Sequence, residues 1–316
     1  MSTARINRKF LAGARLADDV EVVAVASRTR ESAERYAQEH GIERGHGRYE
    51  DLLSDPEVEV VYISLPNSLH VEWAVRALEA GKHVLCEKPL SRHPREVERA
   101  FEVAEREHRL LSEAFMFRHH PQTHRLTELL ADEAIGPLRL VRGAFSFELP
   151  APGNVRLRAE LDGGALMDVG CYCVNATRLL AGEPLEVTAQ QTRGGEDVDV
   201  GFVATMRCPD GVLGHFDAGM SFAARDELEV VGERGSLFLD DPWHCVDPLI
   251  ELRDAEGTQR IEIARVDPYR CEAENVSAAI RGREPLLLGR EDALAQARAI
   301  EALHAAAADR RAVALA

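Results

Sequence analysis

The chain contains no stretch of about 18 uninterrupted apolar residues, so no segment reads as a membrane-spanning helix. Its start, MSTARINRKF, lacks the apolar core of a secretory signal, and the expected location is the cytoplasm. Positive charge is in deficit: 38 Lys and Arg stand against 54 Asp and Glu, a formal net charge of −16. Most of such a surface repels a polyanion, so no nucleic-acid partner is expected. A phosphorylated cofactor is still compatible, because a few arginines and helix N-termini can hold a phosphate against the overall field. None of the six cysteines forms a CxxC pair. Cys171 and Cys173 have no matching second pair, so reduced, buried thiols are expected rather than a disulfide framework or a metal site. Asn275-Val276-Ser277 has the form of a glycosylation sequon, which carries no meaning without a secretory signal.

What is present points to two domains. A chain of 316 residues is too long for one compact core, and 45% hydrophobic residues suffice for two. Residues 5–17 read as a helix with Ile6, Phe10, Leu11 and Ala14 on one face. Residues 20–26 (VEVVAVA) and 58–65 (VEVVYISL) are short β-branched runs and read as buried strands. Helices are expected at 27–40, ended by Gly41, at 70–80, ended by Gly81, and at 94–107. Residues 49–53 read as a short helix, and 83–86 and 109–114 as further strands. This alternation through about residue 115 implies a parallel sheet covered by helices on both faces, the nucleotide-binding architecture.

The second half has a different rhythm. Helices are expected at 120–130 and at 164–181, the latter opening with glycines. Strands are expected at 138–148, 185–193, 200–208, 212–222, 226–232 and 235–240, with few helices between them. That pattern implies one mostly antiparallel open sheet. Two helices, about 269–281 and 290–308, close the chain. The fold class is therefore α/β, a Rossmann-type domain at 1–118 and an α+β domain for substrate binding and oligomerisation at 119–316. If the free face of the open sheet is apolar, it buries itself between subunits, so a homodimer is expected; a tetramer stays open.

Three segments resemble the glucose-fructose oxidoreductase, inositol dehydrogenase and rhizopine catabolism family. They are Glu87-Lys88-Pro89 directly after GKHVLC, the run Glu113-Ala114-Phe115-Met116-Phe117-Arg118-His119-His120-Pro121, and the glycine-led GGALMDVGCYCVN from Gly163 to Asn175. The resemblance extends to GERGSLFLDDPW and the last two helices. It is closest to the branch holding NADP-dependent xylose 1-dehydrogenase and dimeric dihydrodiol dehydrogenase, where a tyrosine stands four residues after the aspartate. It implies a dehydrogenase acting on a sugar or diol, with a homodimer as the assembly.

The residue types fit that chemistry. Oxidising an alcohol requires a proton acceptor beside the carbon that gives up hydride. A tyrosine becomes a usable base when a lysine ammonium favours its phenolate. Lys88 follows a strand, and Asp168 and Tyr172, four apart, share one helix face. Lys88 and that face are expected to converge on one carbon, with Tyr172 as acid/base, Lys88 lowering its pKa, and Asp168 orienting Lys88 or a substrate hydroxyl. The same trio follows from the resemblance. Which of Lys88 and Tyr172 passes the proton stays open. The competing readings are a solvated loop lysine, a core-packed tyrosine and a helix-surface carboxylate. Arg118 and His119 are candidates for the substrate pocket, with a surface histidine as the alternative.

NADP is expected over NAD. Ser27 and Arg28 end the first apolar strand, where an acidic residue holds the ribose of NAD and an arginine accommodates the extra phosphate. Glu31, the nearest acid, already starts the helix. Leu65, Pro66, Asn67 and His70 resemble the family's loop beneath the cofactor riboses, and Glu87, Lys88 and Pro89 complete that side. Thr3, Ala4, Arg5 and Ile6 look like the end of a phosphate loop, with Ser2 in a glycine position, but no GxGxxG precedes them. The family's opening strand is absent, and a translation start assigned about eight to ten residues too late is the expected explanation. The alternative is a non-catalytic binding protein that senses sugar or cofactor through a degenerate nucleotide site.

Overall fold

A computed structural model describes residues 1–149, 153–194 and 196–315. The chain forms two compact units: Met1–Met116 with Asp267–Leu294, and Phe117–Val266 with Ala295–Ala316. The expected division is 1–118 and 119–316; here the first boundary falls after Met116, and residues 267–294 return to the first unit.

The first unit runs α1 (Asn7–Ala14), β1 (Ala24–Ala26), α2 (Arg30–Glu39), β2 (Arg44–His46), α3 (Tyr49–Leu53), β3 (Val60–Ile63), α4 (His70–Glu79), β4 (His83–Glu87), α5 (Pro94–Arg106) and β5 (Leu111–Ala114). Local signals set the helix ends. The Thr29 side chain caps α2 through the Ser32 amide, Pro94 opens α5, and Gly41 and Gly81 take positive φ just after α2 and α4. All the strand pairs are parallel, in two pieces: β2–β1 and β3–β4–β5. Both strands facing the break are shorter than their apolar runs. Residues 20–23 and 58–59 have β-type sequence, but the break deprives them of a ladder partner on one side. The polar three-residue β2 is an edge strand without alternation, which hid it from the sequence reading.

The second unit contains α6 (Pro121–Ala131), β6 (Leu138–Glu148), a π-helical turn (Leu166–Gly170), α7 (Cys171–Ala181), β7 (Glu186–Arg193), β8 (Asp199–Arg207), β9 (Leu213–Gly219), β10 (Ser221–Gly232), β11 (Gly235–Leu239), β12 (Leu249–Asp254) and β13 (Gly257–Glu262). Next come α8 (Pro268–Ile280), which belongs to the first unit, α9 (Arg290–Asp309), which runs through the boundary at Leu294, and β14 (Val313–Ala314). Among the described residues the sheet order is β13-β12-β11-β10-β6-β9-β8-β7-β14, antiparallel except for the β6–β9 pair.

Helix α7 lies on the inner face of this sheet. Gly143 and Gly214 permit it: a Cβ at Gly143 would meet Cys173 Sγ at 3.1 Å, and one at Gly214 would meet Thr177 at 2.7 Å. Phe202 and Phe216, both fully buried, stack at 6.2 Å in the same layer. The outer face is mixed rather than apolar. Arg225 pairs with Asp217 and Arg142 with Glu229, while Val203 and Leu213 are exposed. No helix among the described residues is long and apolar enough to cross a membrane. Cys86, Cys171, Cys173, Cys208 and Cys245 are buried free thiols, and Cys271 is half-buried and free.

Candidate functional site

In the first unit the predicted cofactor residues gather at the C-terminal ends of parallel strands, where open α/β sheets bind ligands. Met1–Ser2 lead into Thr3, Ala4, Arg5 and Ile6, and α1 starts at Asn7. Ser2 has φ +122°, a conformation natural to glycine, which supports the reading of a glycine-type turn position. Its side chain offsets the strain: Ser2 Oγ donates to Ser64 O (3.0 Å), lies 2.8 Å from Ser64 Oγ, and accepts from Ala4 N (3.1 Å). The positive end of the α1 dipole lies at this turn and suits a phosphate.

Ser27 closes β1 with its amide on His46 O (3.0 Å). Arg28 follows, exposed, and the next acid, Glu31, sits in the first turn of α2. An arginine at a strand end with no carboxylate in the ribose position fits a 2′-phosphate better than a free ribose diol.

The loop after β3 and the loop after β4 are joined by His70. Its ring, 1% exposed, lies with Nε2 2.8 Å from Leu65 O and Nδ1 2.9 Å from Pro89 O. His70 therefore acts through the loops it ties, holding Leu65, Pro66 and Asn67 against Glu87, Lys88 and Pro89. The Lys88–Pro89 peptide is cis, and Lys88 is half-buried. Two further groups that the sequence did not single out fix this loop. Tyr62 donates to Glu87, and the buried Glu113 carboxylate accepts from Leu90 N at 2.7 Å.

In the second unit Gly163 and Gly164 make room for a cap. A Cβ on Gly164, where φ is +124°, would meet Asp199 Oδ1 at 2.1 Å. The Asp199 carboxylate accepts from Leu166 N at 2.7 Å and so starts the π-helical turn. Burial pushes the Asp199 carboxyl above its ordinary range, against the pull of the amides it caps. The expected plain helix at 164–181 is thus a π turn followed by α7. Asp168 lies in the turn and Tyr172 in α7, so their spacing of four spans a junction between two helical pitches; such turns recur at functional sites.

Asp168 is held by Arg156 Nε at 2.6 Å and is 15% exposed at its side chain. Tyr172, 7% exposed, sits among Phe145 (ring centroids 5.3 Å, edge-on), Phe117 (5.8 Å) and Trp243 (6.0 Å). Arg118 donates to Asn175 Oδ1 at 2.9 Å, and Asn175 leads to the buried Gln296, which also takes Arg178. His119 is 6% exposed, and its Nε2 has no hydrogen-bond partner. Burial, then the charge of Arg118, holds its pKa down to about 3, so the ring is neutral at physiological pH.

Sequence reasoning missed a dyad beside this nest. Asp226, on β10, accepts from His244 Nδ1 and from Trp243 N (3.1 Å), and the His244 ring meets Phe145 edge-on at 5.4 Å. The signal was available in outline: Asp226 shares the inward parity of Leu228 and Val230 along β10, a polar residue at a core position.

Comparison with known proteins agrees with both units. Residues 3–115 match the model of the oxidoreductase family with an NAD-binding Rossmann fold, and residues 123–238 match the GFO/IDH/MocA C-terminal domain. An uncharacterized oxidoreductase of Rhizobium meliloti is 38% identical over 92% of this chain and 90% of its own length. The D-xylose 1-dehydrogenase (NADP(+)) 2 of Haloferax volcanii is 35% identical over 97% of this chain and 96% of its own. The solved structure of a 3-ketoreductase from Actinomadura kijaniata, in complex with NADP and TDP-benzene, superposes with TM-score 0.90 at 32% identity, covering 96% of this chain and 95% of that one.

Proposed function

The chain belongs to the GFO/IDH/MocA oxidoreductase family, and on that premise we propose that it transfers hydride between NADP and a sugar hydroxyl, the C1 hemiacetal of a xylose- or glucose-like aldose. A related cyclic diol is the second substrate class to include in a panel. What supports the reading is the match to this family together with Lys88 in the loop after β4 of the first unit and, in the second, Tyr172 set in an aromatic nest on α7. NADP as cofactor is supported by the exposed Arg28 at the end of β1 and by the NADP use named for the xylose dehydrogenase and the ketoreductase.

When bound, the nicotinamide accepts or returns the hydride. The chain's own residues do the rest. As the hemiacetal carbon gives up hydride, its hydroxyl proton passes to the Tyr172 phenolate, leaving a lactone. The Lys88 ammonium favours that phenolate and donates to the reacting oxygen. Asp168, oriented by Arg156, receives a neighbouring sugar hydroxyl. The neutral His119 ring offers its Nε2 to another hydroxyl, which satisfies an otherwise orphaned buried atom. Phe117, Phe145 and Trp243, all buried, pack around the Tyr172 ring and fix its orientation.

The test is steady-state turnover with NADP across aldoses and cyclic diols. Xylose or glucose should reduce the cofactor, and Lys88→Ala and Tyr172→Phe should each lower kcat by about 100-fold or more. No turnover across the panel, in a protein that binds NADPH, would overturn the assignment in favour of a binding protein. We also propose a cytoplasmic homodimer, which rests on the family resemblance and not on an apolar sheet face, since the outer face is mixed; sedimentation at micromolar concentration reads the mass.

A further inference from the structure

The Asp226–His244 dyad takes no part in the proton and hydride steps, yet it stands one aromatic ring from Tyr172. Phe145 meets the Tyr172 ring edge-on at 5.3 Å and the His244 ring edge-on at 5.4 Å. All these residues belong to the second unit.

The loop between β11 and β12 carries His244 in a fixed pose. Trp243, just before it, is fully buried, donates Nε1 to Ala144 O at 3.0 Å and donates its backbone N–H to Asp226 Oδ1 at 3.1 Å. Cys245, just after it, is buried as well. Of these three only His244 reaches outward, with its side chain 38% exposed. Asp226 Oδ2 accepts from Nδ1 of that ring. A carboxylate only accepts, so the shared proton belongs to Nδ1 and Nε2 keeps its lone pair. Nε2 makes no hydrogen bond to the described residues. Burial pushes the Asp226 carboxyl up, so a buried anion is maintained here against a desolvation cost. What that cost secures is a neutral acceptor aimed in advance of any ligand.

Asp241 adds a third group, and one ligand atom from each of Asp226, Asp241 and His244 lies within 4.8 Å of the others. Their oxygens are committed to protein hydrogens rather than to a cation. Asp226 spends both on Trp243 and His244, and Asp241 Oδ2 accepts from the amides of Val246 and Asp247.

We propose that His244 is a specificity residue for the substrate: its Nε2 accepts from a ring hydroxyl remote from the reacting carbon, and Asp226 is the positioning residue that holds the imidazole for it. The identity of the ligand rests on the hydride-transfer reading. The dyad favours a polyhydroxylated aldose over a cyclic diol. A diol has one hydroxyl to oxidise and one for Asp168, and none is left for His244.

Calorimetry on the full chain loaded with NADPH tests this. NADPH and an aldose are both reduced, so no turnover occurs and affinity is read apart from chemistry. The ligands are xylose, glucose, their monodeoxy analogues and cyclohexane-1,2-diol. His244→Ala should weaken the parent aldose by about tenfold. For the one monodeoxy analogue that lacks the hydroxyl His244 takes, and for the diol, wild type and variant should bind alike. His244→Phe keeps the ring against Phe145 without the acceptor and should give the same pattern, so the test survives a misfolded alanine variant. An equal loss for every ligand, or no loss for any, overturns the proposal and leaves His244 a packing residue. Micromolar zinc binding by the sugar-free protein, abolished in His244→Ala, would assign the trio to a metal and also overturns it. The selective pattern in a protein that never reduces NADP would sink the hydride-transfer reading alone, whereas no aldose binding at all would sink both.

Discussion

His70 holds Pro89 by its backbone carbonyl at 2.9 Å, and the opposite ring nitrogen holds the loop after β3. One buried ring thus sets the spacing between the loop after β3 and the loop bearing Lys88. His70→Ala should leave two buried carbonyls unpaired and cost about 1–3 kcal/mol of stability. It should also weaken NADPH binding while leaving the second unit intact. Chemical denaturation and calorimetry with NADPH measure the two effects. A variant with wild-type stability and affinity would show that the loops hold their positions unaided.

The Asp226–His244 dyad touches the Tyr172 nest through Phe145. Burial pushes the Asp226 carboxyl up, against the pull of His244. Asp226→Asn keeps the shape and weakens the hold on the imidazole. We expect a higher KM for the sugar by about tenfold, an unchanged Kd for NADPH, and about 1–2 kcal/mol lost from stability. Equal changes in both affinities would reduce the dyad to a general packing role.

Glu272, on α8, is fully buried and neither carboxyl oxygen has a hydrogen-bond partner. Burial first, then the charge of Glu87, raises its pKa well above 4.5. The folded state therefore keeps a proton that the unfolded state releases above about pH 4.5. Stability falls as pH rises from there through the folded pKa. Glu272→Gln removes the ionisable group at nearly constant volume. It should raise the melting temperature at pH 8 and change it little near pH 4.5, as calorimetric scans at the two pH values would record.

The Met1 amine has the opposite sign. Its pKa is 8.0 when free and about 5 in the folded chain, so between those values the unfolded state binds a proton that the folded state does not. Stability then rises with pH from 5 to 8, by a term on the order of 4 kcal/mol for a protein whose intact mass shows Met1 retained. Thermal melts over that range measure the slope, and a flat profile would show that the amine finds a compensating partner.

The first unit was largely legible because its strands are short β-branched runs and its helices carry explicit stops such as Gly41 and Gly81. The segments proposed for the site are local strings: Glu87-Lys88-Pro89 spans the end of β4 and the loop after it, and Asp168 and Tyr172 lie in one helical region. What escaped lacks a local signature. The strands at Arg44–His46 and Gly257–Glu262 are polar edges without alternation. The π turn depends on Asp199, some thirty residues from the amide it caps, and the dyad joins a strand residue to a loop residue 18 positions away. The return of residues 267–294 to the first unit is set by tertiary packing: Gly13 of α1 lies so close to α8 that a Cβ there would meet Arg270 N at 2.6 Å.

That returning segment governs the order in which the protein can mature. Residues 1–116 of the nucleotide-binding unit precede the second unit's strands, yet α8 leaves the ribosome only after β6 to β13 have been synthesised. An emerging first half must therefore wait with the surface later covered by α8 still bare. Cutting the gene after residue 118 would leave that half permanently unfinished, so the two halves are inherited, and must be engineered, as a single piece.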